Sequence, residues 1–276
     1  MFFQGKSSSV LLIVFTLVAL TGCSALTGFD VAVKDNPQLA KQKFRAGLDV
    51  TQGKGTEQDY KEGVELFKDA ALNGSAKGAY LAGMSYLTGR GVAVNYAESA
   101  IWLDLAAQKD HPAALYELSV LYMNGRGVEK SRLWAGYMLS RAADLGHKQA
   151  MFDLGVVYAR GLGLPQNLAA AWYWFAQAEK QGVALSKELK RRMYAKSNAG
   201  SRGTARRLMS YHSGEIDRST TLFLQLRLSA LGYSPGPADG IWGQKTKVSY
   251  RRFTQKEFLL SDLEINWHNL QMIRDY

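Results

Sequence analysis

The stretch Ala79-Tyr80-Leu81-Ala82-Gly83-Met84-Ser85-Tyr86-Leu87-Thr88-Gly89-Arg90-Gly91-Val92 returns 36 residues later as Leu115-Tyr116-Glu117-Leu118-Ser119-Val120-Leu121-Tyr122-Met123-Asn124-Gly125-Arg126-Gly127-Val128. It returns once more as Met151-Phe152-Asp153-Leu154-Gly155-Val156-Val157-Tyr158-Ala159-Arg160-Gly161-Leu162-Gly163-Leu164. Gly53 and Gly55 place the same Gly-x-Gly pair one step earlier, and other positions keep the step: Ala70-Ala71, Ala106-Ala107, Ala142-Ala143, then Ala178-Glu179. A fixed period of this length marks a solenoid, in which each unit needs its neighbour to bury its apolar side.

Within a unit the apolar spacing is helical. Ala79, Ala82 and Tyr86 follow i, i+3, i+7, as do Leu115, Leu118, Tyr122 and Met151, Leu154, Tyr158, so the first helix of each unit has one core face. Gly83 and Gly155 sit mid-helix, at a cost of about 1 kcal/mol relative to alanine, which predicts a helix packed closely against them. Gly-x-Gly then ends the helix and permits positive φ. A second helix follows, carrying Trp102, Met138 or Trp174. The expectation is an all-α chain, an α/α solenoid of antiparallel helix pairs.

These residues resemble the Sel1-like repeat, a relative of the tetratricopeptide repeat, over about residues 40 to 182; the shared markers are Gly83, Tyr86, Gly89-Arg90-Gly91-Val92, Asn95, Ala100, Trp102 and Ala106-Ala107. The resemblance implies a scaffold that binds a protein partner. On the first-helix side away from the core positions lie Tyr80, Met84, Tyr116, Glu117, Phe152 and Asp153. They either line a binding groove or pack against the next unit. His111 and His147 fall at inter-unit loops and read as solvated loop residues, since two histidines without a third ligand make a poor metal site.

The chain has 276 residues, 47% hydrophobic and 21% charged, with 34 Lys and Arg against 24 Asp and Glu, a formal charge of +10. Disorder, collagen and a multi-span membrane protein are excluded, because hydrophobicity is high, Gly (27) and Pro (5) are scarce, and one long apolar run exists. That run, Val10 to Leu20, follows Lys6 and is too short for a membrane span of about 20 residues. It reads as a signal peptide over residues 1–22. Leu20-Thr21-Gly22-Cys23 resembles the bacterial lipobox, which implies lipidation at Cys23, the one cysteine of the chain. Ser24 after it implies an outer-membrane lipoprotein facing the periplasm, with residues 23–40 as a tether. Several acyl chains would hold the protein to the membrane.

After the solenoid and a capping helix at 185 to 196, which end the repeat domain of residues 41–196, the chain turns basic. Between Val183 and Arg218 nine Lys or Arg face Glu188, Glu215 and Asp217. Residues 197–217 read as a basic linker, either solvated or facing anionic lipid or an acidic partner; an exported protein meets no nucleic acid. Residues 218–276 carry Leu224-Gln225, Leu228, Leu231-Gly232-Tyr233, Gly236, Asp239-Gly240-Ile241-Trp242-Gly243, Lys245-Thr246 and Phe253. This resembles the small three-helix peptidoglycan-binding domain of cell-wall hydrolases, with Gln244 where proline is common and the second Asp-Gly turn missing. Tyr233, Asp239, Trp242, Gln244 and Arg251 are the candidates for glycan or stem-peptide contact, because aromatics stack on sugars and arginine pairs with carboxylates. For Trp242 a core plug, and for Asp239 a turn role, compete with that.

No catalytic residue, metal site or cofactor is expected. The single thiol is used at Cys23, and His111, His147, His212 and His268 lack metal spacing. Glu98-Ser99 matches a lytic transglycosylase pair but opens a repeat helix, where an acid suits the dipole. The sequence therefore suggests a non-enzymatic envelope lipoprotein whose repeats bind a protein and whose tail binds peptidoglycan. A scaffold of a secretion or exopolysaccharide complex is the alternative, and a hydrolase using Glu98 the remote one.

Overall fold

A computed structural model describes residues 33–55, 57–209, 216–258 and 263–276. The signal run, Cys23, most of the tether and His212 lie outside these residues. The described residues form thirteen α-helices and no strand. Four hairpins come first: α1 (Pro37–Gln52) with α2 (Tyr60–Leu72), α3 (Ala76–Thr88) with α4 (Tyr96–Ala107), α5 (Pro112–Asn124) with α6 (Arg132–Asp144), and α7 (Lys148–Arg160) with α8 (Leu168–Lys180). Then follow α9 (Leu185–Lys196), α10 (Ala199–Met209), α11 (Arg218–Ala230), α12 (Gln244–Phe258) and α13 (Trp267–Asp275).

The period resides in the helix ends. Asp59, Asn95, Ser131 and Asn167, 36 apart, cap the N-termini of the second helices with side-chain oxygens. Gly53, Gly89, Gly125 and Gly161, in left-handed conformation, close the first helices. Each cap of this kind is worth about 1 kcal/mol, so the boundaries are fixed locally before packing begins.

The second glycine of each pair joins neighbouring units. A Cβ on Gly91, Gly127 or Gly163 would lie 2.3, 2.3 or 2.2 Å from backbone atoms of Tyr60, Tyr96 or Arg132, each the first residue of the preceding unit's second helix. Gly55, in the first unit, has nothing within 4 Å. Arg90 and Arg126, between the glycines, lie over the rings of Tyr60 and Tyr96 at 4.3 and 5.7 Å, adding a cation–π contact to the seam.

Small residues let the helices approach. The mid-helix glycines meet what the spacing predicts: a Cβ on Gly83 would be 2.8 Å from Leu103, and on Gly155 2.7 Å from the Phe175 ring. The alanine pairs are fully buried, and Glu179, which replaces the second alanine in the last unit, pairs with Lys190 of α9. Where the alanine pattern stops, the capping helix supplies the partner.

Two spans are more helical than their composition suggests. Helix α1 begins at Pro37, inside the stretch read as tether, because Asn36 caps it and Phe44 packs on Phe67. Helix α10 lies inside the stretch read as linker; Ala205 is buried, and Arg206 and Arg202 lie over Trp172 and Tyr194. Arginine stems covering aromatic rings compensate for the glycine and serine there.

Helices α11 to α13 belong to the same compact unit as the repeats. Phe223 of α11, 1% exposed, packs against Trp134 and Tyr137 of α6 at ring separations of 5.0 and 5.1 Å. Around it, Thr220 shares a 3.2 Å hydrogen bond with the Tyr137 hydroxyl, Gln271 donates to Asp104, and Arg274 donates to the Tyr122 hydroxyl.

Candidate functional site

The six first-helix positions read as a protein-binding face are all half-buried. Tyr80 stacks on His111 at 4.6 Å and Tyr116 stacks on His147 at 4.7 Å, so each tyrosine packs against the start of the following unit. Phe152 lies 5.7 Å from Phe175 of its own unit. The Tyr116 hydroxyl donates to Asp153 across the unit boundary, and Gln149 donates to the other oxygen of that carboxylate. Packing against the next unit therefore holds the two tyrosine rings, and Phe152 packs within its own unit. All six side chains keep partial access to solvent.

The histidines are not solvated loop residues. His111 and His147 cap α5 and α7, each ring Nδ1 accepting a backbone N–H, from Ala114 at 3.3 Å and Ala150 at 3.1 Å. They stand where Ser75 caps α3, one period earlier. That 36-residue alignment with a serine is the signal that reveals their role.

Burial dominates the electrostatics of this face. It raises the carboxyls of Glu117 and Asp153 above their ordinary range, the latter opposed by the Tyr116 and Gln149 hydrogen bonds. It raises the Tyr116 hydroxyl, helped by Asp153, and lowers His111 and His147 below 6.5. Each cap needs a neutral ring, so the unfolded chain takes up protons first as the pH falls. The histidine contribution is complete above 6.5 and is lost below it; the two raised carboxyls act in the opposite sense at lower pH. We expect the melting temperature to fall between about pH 7 and about pH 5.5. His111→Asn with His147→Asn, which keeps a capping acceptor, should flatten that slope; an unchanged slope would show the caps are not its source.

In the C-terminal helices the five candidates separate. The Tyr233 hydroxyl donates to Glu257 and its ring meets Phe253 edge-on. Asp239 accepts from the Ile241 N–H and from Gln225, holding the turn. Trp242 packs edge-on against Tyr250 at 5.8 Å. Gln244 and Arg251 are exposed on α12. Gln244 lines a cleft of about 380 Å³ with Ser234, Gly236, Lys245, Val248, Ser249 and Arg252, most of them residues that the motif alone did not single out.

Glu98 lies in the first turn of α4, its N–H bonded to the Asn95 cap. No three His, Cys, Asp or Glu gather as a metal set among the described residues.

Residues 44–75, 76–111, 112–147 and 148–183 each match the Sel1 repeat, together just over half of the 276 residues; the last three segments begin at the first residues of α3, α5 and α7, and the first begins within α1. The chain belongs to the Sel1-repeat family. Sel1-repeat proteins are typically non-catalytic scaffolds for protein–protein interaction. Among solved structures the chain is similar to a protective antigen of uropathogenic Escherichia coli strains that displays an SLR fold, with 24% identity and a TM-score of 0.55 over 79% of this chain. It spans only 46% of that protein. It is also similar to a Sel1 repeat protein from Oxalobacter formigenes, with 20% identity and a TM-score of 0.53, over 82% of this chain and 86% of the other. These likenesses concern the fold. Comparison with curated proteins finds no match.

Proposed function

We propose that this Sel1-repeat protein is a non-enzymatic lipoprotein of the bacterial cell envelope. Its repeats hold a protein partner, its C-terminal helices bind peptidoglycan, and a lipid at Cys23 fixes it to the outer membrane on the periplasmic side. Two tethers would raise the local concentration of the bound partner at the wall to about the millimolar range. The membrane and wall parts rest on the lipobox resemblance of Leu20 to Cys23 and on the Asp239 to Gly243 motif.

The observation that carries the scaffold reading is a division of faces. The C-terminal helices contact the array at Asp104, Tyr122, Trp134, Tyr137 and Tyr158. Positions 80, 84, 116, 117, 152 and 153 lie outside that contact. They combine half-buried aromatic side chains with desolvated carboxyls, a combination suited to a partner that supplies donors and apolar area.

A photo-crosslinker placed at Met84 or Glu117 in intact cells should trap one discrete protein, and at Leu185, 70% exposed, it should not. The scaffold reading fails if the three positions give the same products. Purified protein should also sediment with isolated sacculi; absence of sedimentation removes the wall half and leaves a scaffold of a secretion or export complex.

A further inference from the structure

The cleft beside α12 is an open groove between one face of that helix and the loop before it. Lys245, Val248, Ser249 and Arg252 follow i, i+3, i+4, i+7 and so form one stripe of the helix. Loop residues Ser234 and Gly236 make the opposite wall. Gln225, 1% exposed, fastens the far end of that loop to the start of α12: its carbonyl accepts the N–H groups of Asp239 and Gly240, and its amide donates to Asp239, Ile241 and Thr246. Thr246 in turn donates to the Pro235 carbonyl at 3.0 Å. Gly236 has a φ of +93° and sits where a side chain would touch the Lys245 stem, at 3.5 Å.

Lys245 and Arg252 are exposed and bring two positive charges to the two ends of a stripe whose centre is Val248 and Ser249. The volume, about 380 Å³, lies within the range of small-ligand sites, roughly 300–1,000 Å³. No residue of the contact with the repeats lines it, so the cleft stays open while Phe223 is docked.

We infer that this cleft seats the carboxylate-bearing stem peptide of peptidoglycan, Lys245 and Arg252 pairing with its carboxylates and Val248 meeting its alanine methyls. The inference rests on the wall-binding reading above. It moves recognition away from Tyr233, Asp239 and Trp242, which have internal partners, onto Lys245, Ser249 and Arg252 beside Gln244. Glycan would then contribute little, because a cleft with two cations and an apolar centre selects for charged ends and small methyl groups.

The test compares binding of the full chain to isolated sacculi, to sacculi whose stem carboxylates have been amidated, and to glycan strands freed of peptide. Lys245→Glu with Arg252→Glu should weaken binding to intact sacculi at least tenfold, and amidation should do the same to the unsubstituted protein. Lys187→Glu with Lys196→Glu makes the same change of net charge on α9, away from the cleft, and should stay within twofold. Both pairs are exposed, so folding is checked by an unchanged melting temperature. If the unsubstituted protein binds sacculi but the cleft pair changes nothing, or if bare glycan strands bind equally well, the cleft assignment is overturned and wall binding stands. If no form of sacculus is bound, both fall.

Discussion

Gly127→Ala should destabilise the repeat array by about 2–5 kcal/mol, more than any exposed substitution. The left-handed backbone, φ +70°, costs a residue with a Cβ about 1–2 kcal/mol. The new methyl would also lie 2.3 Å from the Tyr96 carbonyl carbon and 2.4 Å from the Ala97 nitrogen. Backbone cannot turn aside as a side-chain tip can, so overpacking adds about 1–3 kcal/mol. Gly146→Ala separates the two contributions, since it shares positive φ, +90°, but has nothing within 4 Å. It should cost only the conformational part. Urea unfolding of both variants reads the difference, and equal losses would mean that the turn does not clamp the previous unit.

Phe223→Ala should cost about 3–5 kcal/mol, the usual range for removing a buried aromatic ring. Its ring is enclosed by Trp134 and Tyr137, themselves 4.8 Å apart, so the cavity is lined by rigid rings that close poorly. Its effect should also be distributed unevenly. Amide exchange should speed up in α11 to α13 and in α6, while α3 and α4, held by their own caps and by Gly83 against Leu103, stay protected. Uniform acceleration across the chain would instead indicate that the C-terminal helices and the repeats unfold as a single cooperative block.

Much of the architecture is legible because it is written in residues with few conformational options. Glycine at positive φ, Asn or Ser at a helix start, and alanine where two helices touch each have a local reason, and the 36-residue step repeats them. The docking of α11 is less legible. Leu222, Leu224 and Leu228 read as one apolar face of a helix, but Ser219, Thr220 and Thr221 just before them and Phe223 among them are buried too. A helix covered all round signals a second neighbour, and small hydroxylated residues hide that signal in a hydropathy pattern. The site shows the same limit. Spacing places Tyr80 and Tyr116 on one side of their helices, but only the position of the next unit's histidines shows that their rings are spoken for. The cleft residues Lys245 and Arg252 look like ordinary solvated cations until the loop held by Gln225 is seen opposite them.

The Glu179–Lys190 pair sets a terminus on the array. A further hairpin spliced in after residue 183 would press an apolar helix onto that half-exposed carboxylate and displace the lysine, leaving a newly desolvated charge without its partner. Lengthening by gene duplication is therefore open to the inner hairpins and closed at this end. Relatives with longer arrays should carry their extra units upstream of the acidic residue, with the glutamate and its lysine travelling together as the last stop.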